Sequence, residues 1–253
     1  TSLKFFCIDG RFDVICSGSM LGVNYKKIES NSVGYKKDYD MFSMDFEEFL
    51  YANGMSRMAV SAMRKKFEKR EALDEATHNK MMDFFRKYLL VGGLPDAVNS
   101  YLSDHNIQLV REIQREIHDY YAADASKYDE EKKLKIRRIY DLIPSNMENK
   151  KKRVVAKRIE GKKGKRFGDY QDEFDYLVSA GIALNVRAIS TPVFPLLESS
   201  GKNLLKLYLN DVGILTGLLY GNNIRAVRTM TLEELMNRLS AIPGVLKADV
   251  LAG

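Results

Sequence analysis

The stretch FDVICSGSMLGVNYKK, residues 12–27, offers the first residues whose types and spacing suggest chemistry. An apolar run ends in Ser-Gly-Ser, and a further glycine and two lysines follow. Glycine turns let backbone N–H groups curl round a phosphate, and a lysine at the start of the next helix neutralises it. A loop of the G-x-x-x-x-G-K-[ST] kind needs glycine five positions after Gly18, where Val23 stands. It also needs a hydroxyl after its lysine to hold Mg²⁺, and Lys26 is followed by Lys27. No other part of the chain meets the pattern, so the residues present form no triphosphate loop.

The second candidate is KKKRVVAKRIEGKKGKR, residues 150–166, with ten basic side chains and one acidic. The rest of the chain carries 30 basic against 33 acidic residues, so the net charge of +6 belongs to this one segment. Lys150, Lys151, Lys152, Arg153, Lys157 and Arg158 are expected on or just before a helix. Lys162, Lys163, Lys165 and Arg166 fill the loop ahead of the next one. Side chains of this kind neutralise phosphates and give DNA or RNA a sequence-independent, salt-sensitive affinity. A solvated charged surface is the commoner use of such a run.

Other groupings are weaker. Glu47 and Glu48 are adjacent and point to different sides of a helix, which suits capping better than paired acid–base work. Asp211, in LNDVG, closes a strand before a glycine; a turn role stands against that of a lone nuclease acid. Ser17 and Ser19 lack the G-x-S-x-G order of a hydrolase nucleophile. Cys7, Cys16, His78, His105 and His118 have no zinc-ligand spacing, so no metal site is expected. Two cysteines without a disulfide pattern point to a reducing, cytoplasmic setting. The longest apolar runs fall well short of the roughly 20 residues of a membrane span, so no membrane partner is expected. The opening TSLKFFCIDGRF breaks its apolar stretch with charge, unlike a secretory leader.

The elements that must position these residues follow from periodicity. Residues 11–17 read as a buried strand around Val14-Ile15, and 38–44 as a second. Asp45 caps a short helix that stops at Gly54. Residues 56–104 are helical, with Met81, Phe84, Phe85, Tyr88 and Leu89 as an inward stripe. The helix over 106–128 places Ile107, Val110, Ile113, Ile117 and Tyr121 on one face and charge on the other. A helix at 130–143 is closed by Pro144, and Ser145 or Asn146 caps the next. A third helix near 168–180 turns Tyr170, Phe174, Leu177 and Val178 inward. Two strands, IALNVRAIS and NLLKLYLND, complete a helix–helix–helix–ribbon order like that of a winged helix, whose third helix would face a duplex. That third helix carries Asp169, Asp172, Glu173 and Asp175, which phosphates would repel.

The phrases RFDVICSGSMLGV, MFSMDFEEFL, YLLVGGLPDAV and KLYLNDVGIL, in this order over roughly residues 2–227, resemble a bacterial and archaeal family of AAA-superfamily ATPases with a C-terminal region of unknown function. The resemblance implies that Ser17 is a sensor residue beside the nucleotide's terminal phosphate. It places the phosphate loop and the Mg²⁺-holding strand upstream of residue 1, so that ATP and Mg²⁺ belong to the longer family members and no cofactor to this chain. The family continues into a nuclease-like domain with a D…E-x-K arrangement, which the sequence after GNNIRAV lacks. Hydrolysis by these 253 residues alone is therefore not expected, and no catalytic residue is assigned. The expected fold is mostly α with minor β. Residues 1–54 would be the edge of a P-loop α/β core, 55–105 a helical lid and 106–129 a connecting amphipathic helix. Residues 130–220 would form the winged helix, and 221–253 an atypical tail with a helix at 231–240. The function this implies is a partial ATP-binding protein whose winged helix contacts nucleic acid through 150–166. The alternative is a protein-interaction module working through 106–128 or 168–180.

Overall fold

The computed structural model describes residues 2–16, 34, 35, 37, 39, 41–125, 130–148, 156–161, 166–189 and 200–220. Over these residues the protein is mostly α with minor β. Helix α1 spans Ser2–Asp9, α2 Phe46–Ala52, α3 Arg57–Glu68, α4 Glu75–Val91, α5 Pro95–Asp104 and α6 Ile107–Ala125. Then come α7 Glu130–Asp141, α8 Ile143–Glu148, α9 Ala156–Glu160, a 3₁₀ turn at Phe167–Tyr170 and α10 Gln171–Ser179. Strands β1, Ala183–Ile189, and β2, Ser200–Leu209, form an antiparallel ribbon, and α11, Val212–Tyr220, follows.

Local chemistry sets several of these boundaries. Asp45 accepts from the Glu48 N–H, and Glu48 returns the bond to the Asp45 N–H, a reciprocal box that starts α2. Ser56 and Asp74 cap α3 and α4 by accepting from the Ala59 and Thr77 N–H groups. Pro95 occupies the first position of α5, where no N–H is required. Pro144 does likewise near the start of α8, so it opens a helix as well as ending α7. For that reason Ser145 and Asn146 lie inside α8 and are not the cap expected from sequence; Asn146 is buried and Ser145 Oγ donates to Leu142 O.

One apolar core joins early and late parts of the chain. Phe49 of α2, Leu89 and Val91 of α4, Val98 of α5, Val110 of α6, Ile136 and Tyr140 of α7, Phe174 and Leu177 of α10, Leu207 of β2 and Ile214 of α11 all belong to it. The aromatic stripe of α4 packs edge-on and tilted against α2, with Phe46–Phe85 at 5.3 Å and Phe49–Tyr88 at 5.4 Å between ring centres. In the ribbon Ala183 pairs with Leu209 and Leu184 with Tyr208, and the register shifts between Arg187 and Ile189. Ala183, Leu207 and Leu209 face the core, while Leu184 and Val186 are exposed. Helix α11 does not extend the ribbon's layer. It turns back onto α4 and α6.

Two expected strands, 11–17 and 38–44, do not appear among the described residues. Described residues 12–16 and 41–45 are irregular and do not pair, and Ile15 and Met41 are 96% and 93% exposed. A strand needs a neighbouring strand to pair with, and none lies beside either segment among the described residues. The helix expected at 231–240 lies outside the described residues.

Candidate functional site

The most elaborate polar arrangement sits where α4 ends. A helix leaves its last four carbonyls without intrahelical donors, and here each one finds a donor. The Gly92 N–H reaches Tyr88 O at 2.7 Å. Thr216 Oγ1 of α11 donates to Leu89 O at 2.7 Å. Gln114 Nε2 of α6 donates to both Leu90 O and Val91 O, at 3.0 and 2.9 Å. Two other helices thus complete the end of α4.

The glycine pair after α4 makes this closeness possible. Gly92 adopts φ +76°, a conformation that side chains disfavour. A Cβ on Gly93 would fall onto the Met44 backbone, whose N–H donates to Gly93 O at 2.8 Å. The Gly93 N–H donates to Asp211 Oδ2 at 2.7 Å, and Asp211 Oδ1 accepts from the Ile214 N–H at 3.1 Å. Asp211 therefore caps α11 and clasps the turn after α4 at once. It is buried, and both of its carboxylate oxygens are taken up in the turn, which fits the turn role among its sequence alternatives. Burial raises its pKa above the ordinary carboxylate range, against the lowering effect of hydrogen bonds from Gly93, Ile214, Gly213 and Ser43.

Arg111 lies beside this clasp and is only 5% exposed. Its Nη1 is 2.7 Å from Gln114 Oε1, 3.1 Å from Gly213 O and 3.2 Å from Thr216 Oγ1. Its Nε and Nη2 have no acceptor among the described residues. Desolvation lowers its pKa to about 10. The sequence reading singled out neither Arg111 nor Gln114, yet both are in the core. The signal for them was present: they occupy i and i+3 beside Val110 within the inward stripe, opposite a G-x-x-x-G spacing, Gly213 and Gly217, in α11.

The residues singled out from sequence are not gathered into a site among the described residues. Ser17, Lys150, Lys151, Lys152, Arg153, Lys162, Lys163 and Lys165 lie outside them. Lys157 and Arg158 are on α9, with Arg158 exposed, and exposed Arg166 precedes the 3₁₀ turn. Helix α10 buries Phe174, Tyr176 and Leu177 and presents Asp172 and Asp175 outward, with Asp169 just ahead of it. Lys132 of α7 meets Asp172 at 2.7 Å. Helix α6 spends its apolar face on the protein's own core, through Val110 and Ala122 with Ile113, Ile117 and Tyr121 packed around them. Of the two surfaces expected to meet a partner protein, the side left open is mainly polar, with Leu109 and Tyr120 of α6 also exposed.

Among the described residues no group of three His, Cys, Asp or Glu could hold a metal ion, and no helix is long and apolar enough to cross a membrane. ATP and Mg²⁺, which the family resemblance implies for longer family members, would need a phosphate loop, and the sequence given contains none. Cys7 and Cys16 are free and exposed.

Residues 82–224, more than half of the chain, match the family model of a domain of unknown function, DUF8612, and the chain belongs to that family. The match begins within α4 and takes in the whole clasp of Gly93, Arg111, Gln114, Asp211 and Thr216. No curated protein and no solved structure matches the chain.

Proposed function

We propose that this chain is the lid and C-terminal part of an AAA-type ATP-binding protein, a responding module that grips no nucleotide itself and docks against a separate phosphate-binding core. The observation that carries the reading is the apolar surface left open near the N-terminal end. Phe5, Ile8, Phe12, Ile15, Met41 and Phe42 are all exposed. Helix α1 is eight residues long and, over its described side chains, open to solvent, too short to be stable without packing. Residues 12–16 make no backbone hydrogen bond among the described residues. Large apolar side chains left open to solvent mark an interaction surface where they form a patch, and an unpaired run of strand-like composition suits addition to the edge of a sheet.

Two measurements test the reading. Calorimetric titration of Mg·ATP into these 253 residues is expected to give no binding heat; a micromolar site would sink it. The double variant Phe12→Ser, Ile15→Lys is expected to bind less of an apolar-surface dye at unchanged Tm. Undiminished dye binding would remove the docking surface.

Contact with DNA or RNA through residues 150–166 is a second, separable proposal. The outward acids Asp169, Asp172 and Asp175 disfavour entry of α10 into a groove. Any such contact is therefore assigned to the basic loop and to phosphates, in a docking manner without base reading.

A further inference from the structure

We propose that Arg111 is an oxyanion receptor, its Nε–Nη2 edge taking the two oxygens of a carboxylate or phosphate group. The guanidinium has two useful edges. Nη1 is committed, held among Gln114 Oε1, Gly213 O and Thr216 Oγ1, and those three contacts fix the plane of the group. The remaining edge, Nε with Nη2, is the fork that meets an oxyanion side-on with two parallel N–H···O bonds. Both of its nitrogens are buried and have no acceptor among the described residues. No carboxylate among the described residues forms an ion pair with Arg111, and desolvation is the one influence that displaces its pKa.

The surroundings make a purely structural role a poor account of this arginine. Burying a charge without a counter-charge is unfavourable, and an apolar side chain of similar volume would fill the position at lower cost. The protein instead places two glycines in the nine-residue α11 to admit the polar pair. A Cβ on Gly217 would come within 3.0 Å of Arg111 Nη1, and one on Gly213 within 2.5 Å of Gln114 Nε2. Glycine weakens a helix, so α11 gives up helical stability to seat a cation that is only half-bonded. Departures from local rules that accumulate at one point are the mark of a functional position.

The test uses sodium phosphate and sodium acetate as probes, each against sodium chloride at matched ionic strength. Circular dichroism melts of the intact chain are expected to show a saturable rise in Tm of roughly 3 °C or more with at least one of them. Acetate alone raising Tm identifies a carboxylate source, and phosphate alone a phosphate source. Arg111→Lys keeps the charge but presents no fork, so its Tm is expected to be indifferent to both probes. An equal rise in Arg111→Lys, or none in the parent protein, overturns the proposal. Should Arg111→Lys fail to fold, the Arg111 Nε–H resonance of the parent protein, assigned through its proximity to Gly217, gives the answer. A saturable shift with one probe supports the receptor, and a resonance unmoved by either refutes it.

Discussion

Gln114→Met is the sharpest probe of how α4 is finished. Methionine matches glutamine in length and flexibility and keeps the packing volume, so the substitution removes polar partners and little else. Three bonds go: those to Leu90 O and Val91 O, and the acceptor for Arg111 Nη1. A buried group left unsatisfied costs about 1–3 kcal/mol. Arg111 keeps Gly213 O and Thr216 Oγ1, so its loss is partial. Two orphaned carbonyls then give a destabilisation of about 3 kcal/mol, or roughly 6–12 °C in Tm for a chain of this size. The chain has no tryptophan and 14 tyrosines, so urea and heat unfolding are best followed by far-ultraviolet circular dichroism. Arg115→Met, one residue along and exposed, is the control and is expected to stay within about 0.5 kcal/mol of the parent. A loss below about 1 kcal/mol in Gln114→Met would mean that the end of α4 does not depend on side chains from other helices, and the argument would fail.

Three further outcomes follow from the same geometry. Gly93→Ala forces a Cβ onto the Met44 backbone; it is expected to cost about 3 kcal/mol or more, seen as a lowered urea midpoint, and a neutral result would mean that this contact can open freely. Burial raises the Asp211 pKa, so the folded protein holds a proton that the unfolded chain releases. This contribution to stability is complete below the ordinary carboxylate range and is lost as pH rises through the raised value; Asp211→Asn is expected to flatten that part of the pH–stability profile, and an unchanged profile would assign the slope to other groups. If residues 150–166 grip phosphates, affinity for a DNA duplex is expected to collapse between about 50 and 200 mM salt, with a shallower slope in Lys162→Glu, Lys163→Glu; salt-insensitive binding would rule that contact out.

Much of the fold is legible in the sequence because its helices carry their own punctuation. Asp45 with Glu48, Pro95, the Gly92-Gly93 stop and the Phe84, Phe85, Tyr88 stripe each act within one or two turns, and the helices form where those signals stand. The ribbon is legible for the same reason: its two β-rich runs are near in sequence and pair with each other. Misreadings come where the deciding partner is distant. The run at Val14-Ile15 has the composition of a strand, but composition supplies no neighbour to pair with. Arg111 and Gln114 look like surface residues by type, and only the arrival of α11, over 100 residues later, explains their burial. Asp211 was noticed in sequence but not understood, because its meaning lies in Gly93, 118 positions earlier.

That separation also dictates an order of events during synthesis. The ribosome releases α4 long before residues 211 and 216 exist, so a nascent chain ending anywhere in the ribbon carries an α4 terminus without the Thr216 hydroxyl or the Asp211 clasp. Native consolidation of that early helix must wait for almost the last described residue. Over that interval the half-made protein has an unfinished helix end where its core is still to close.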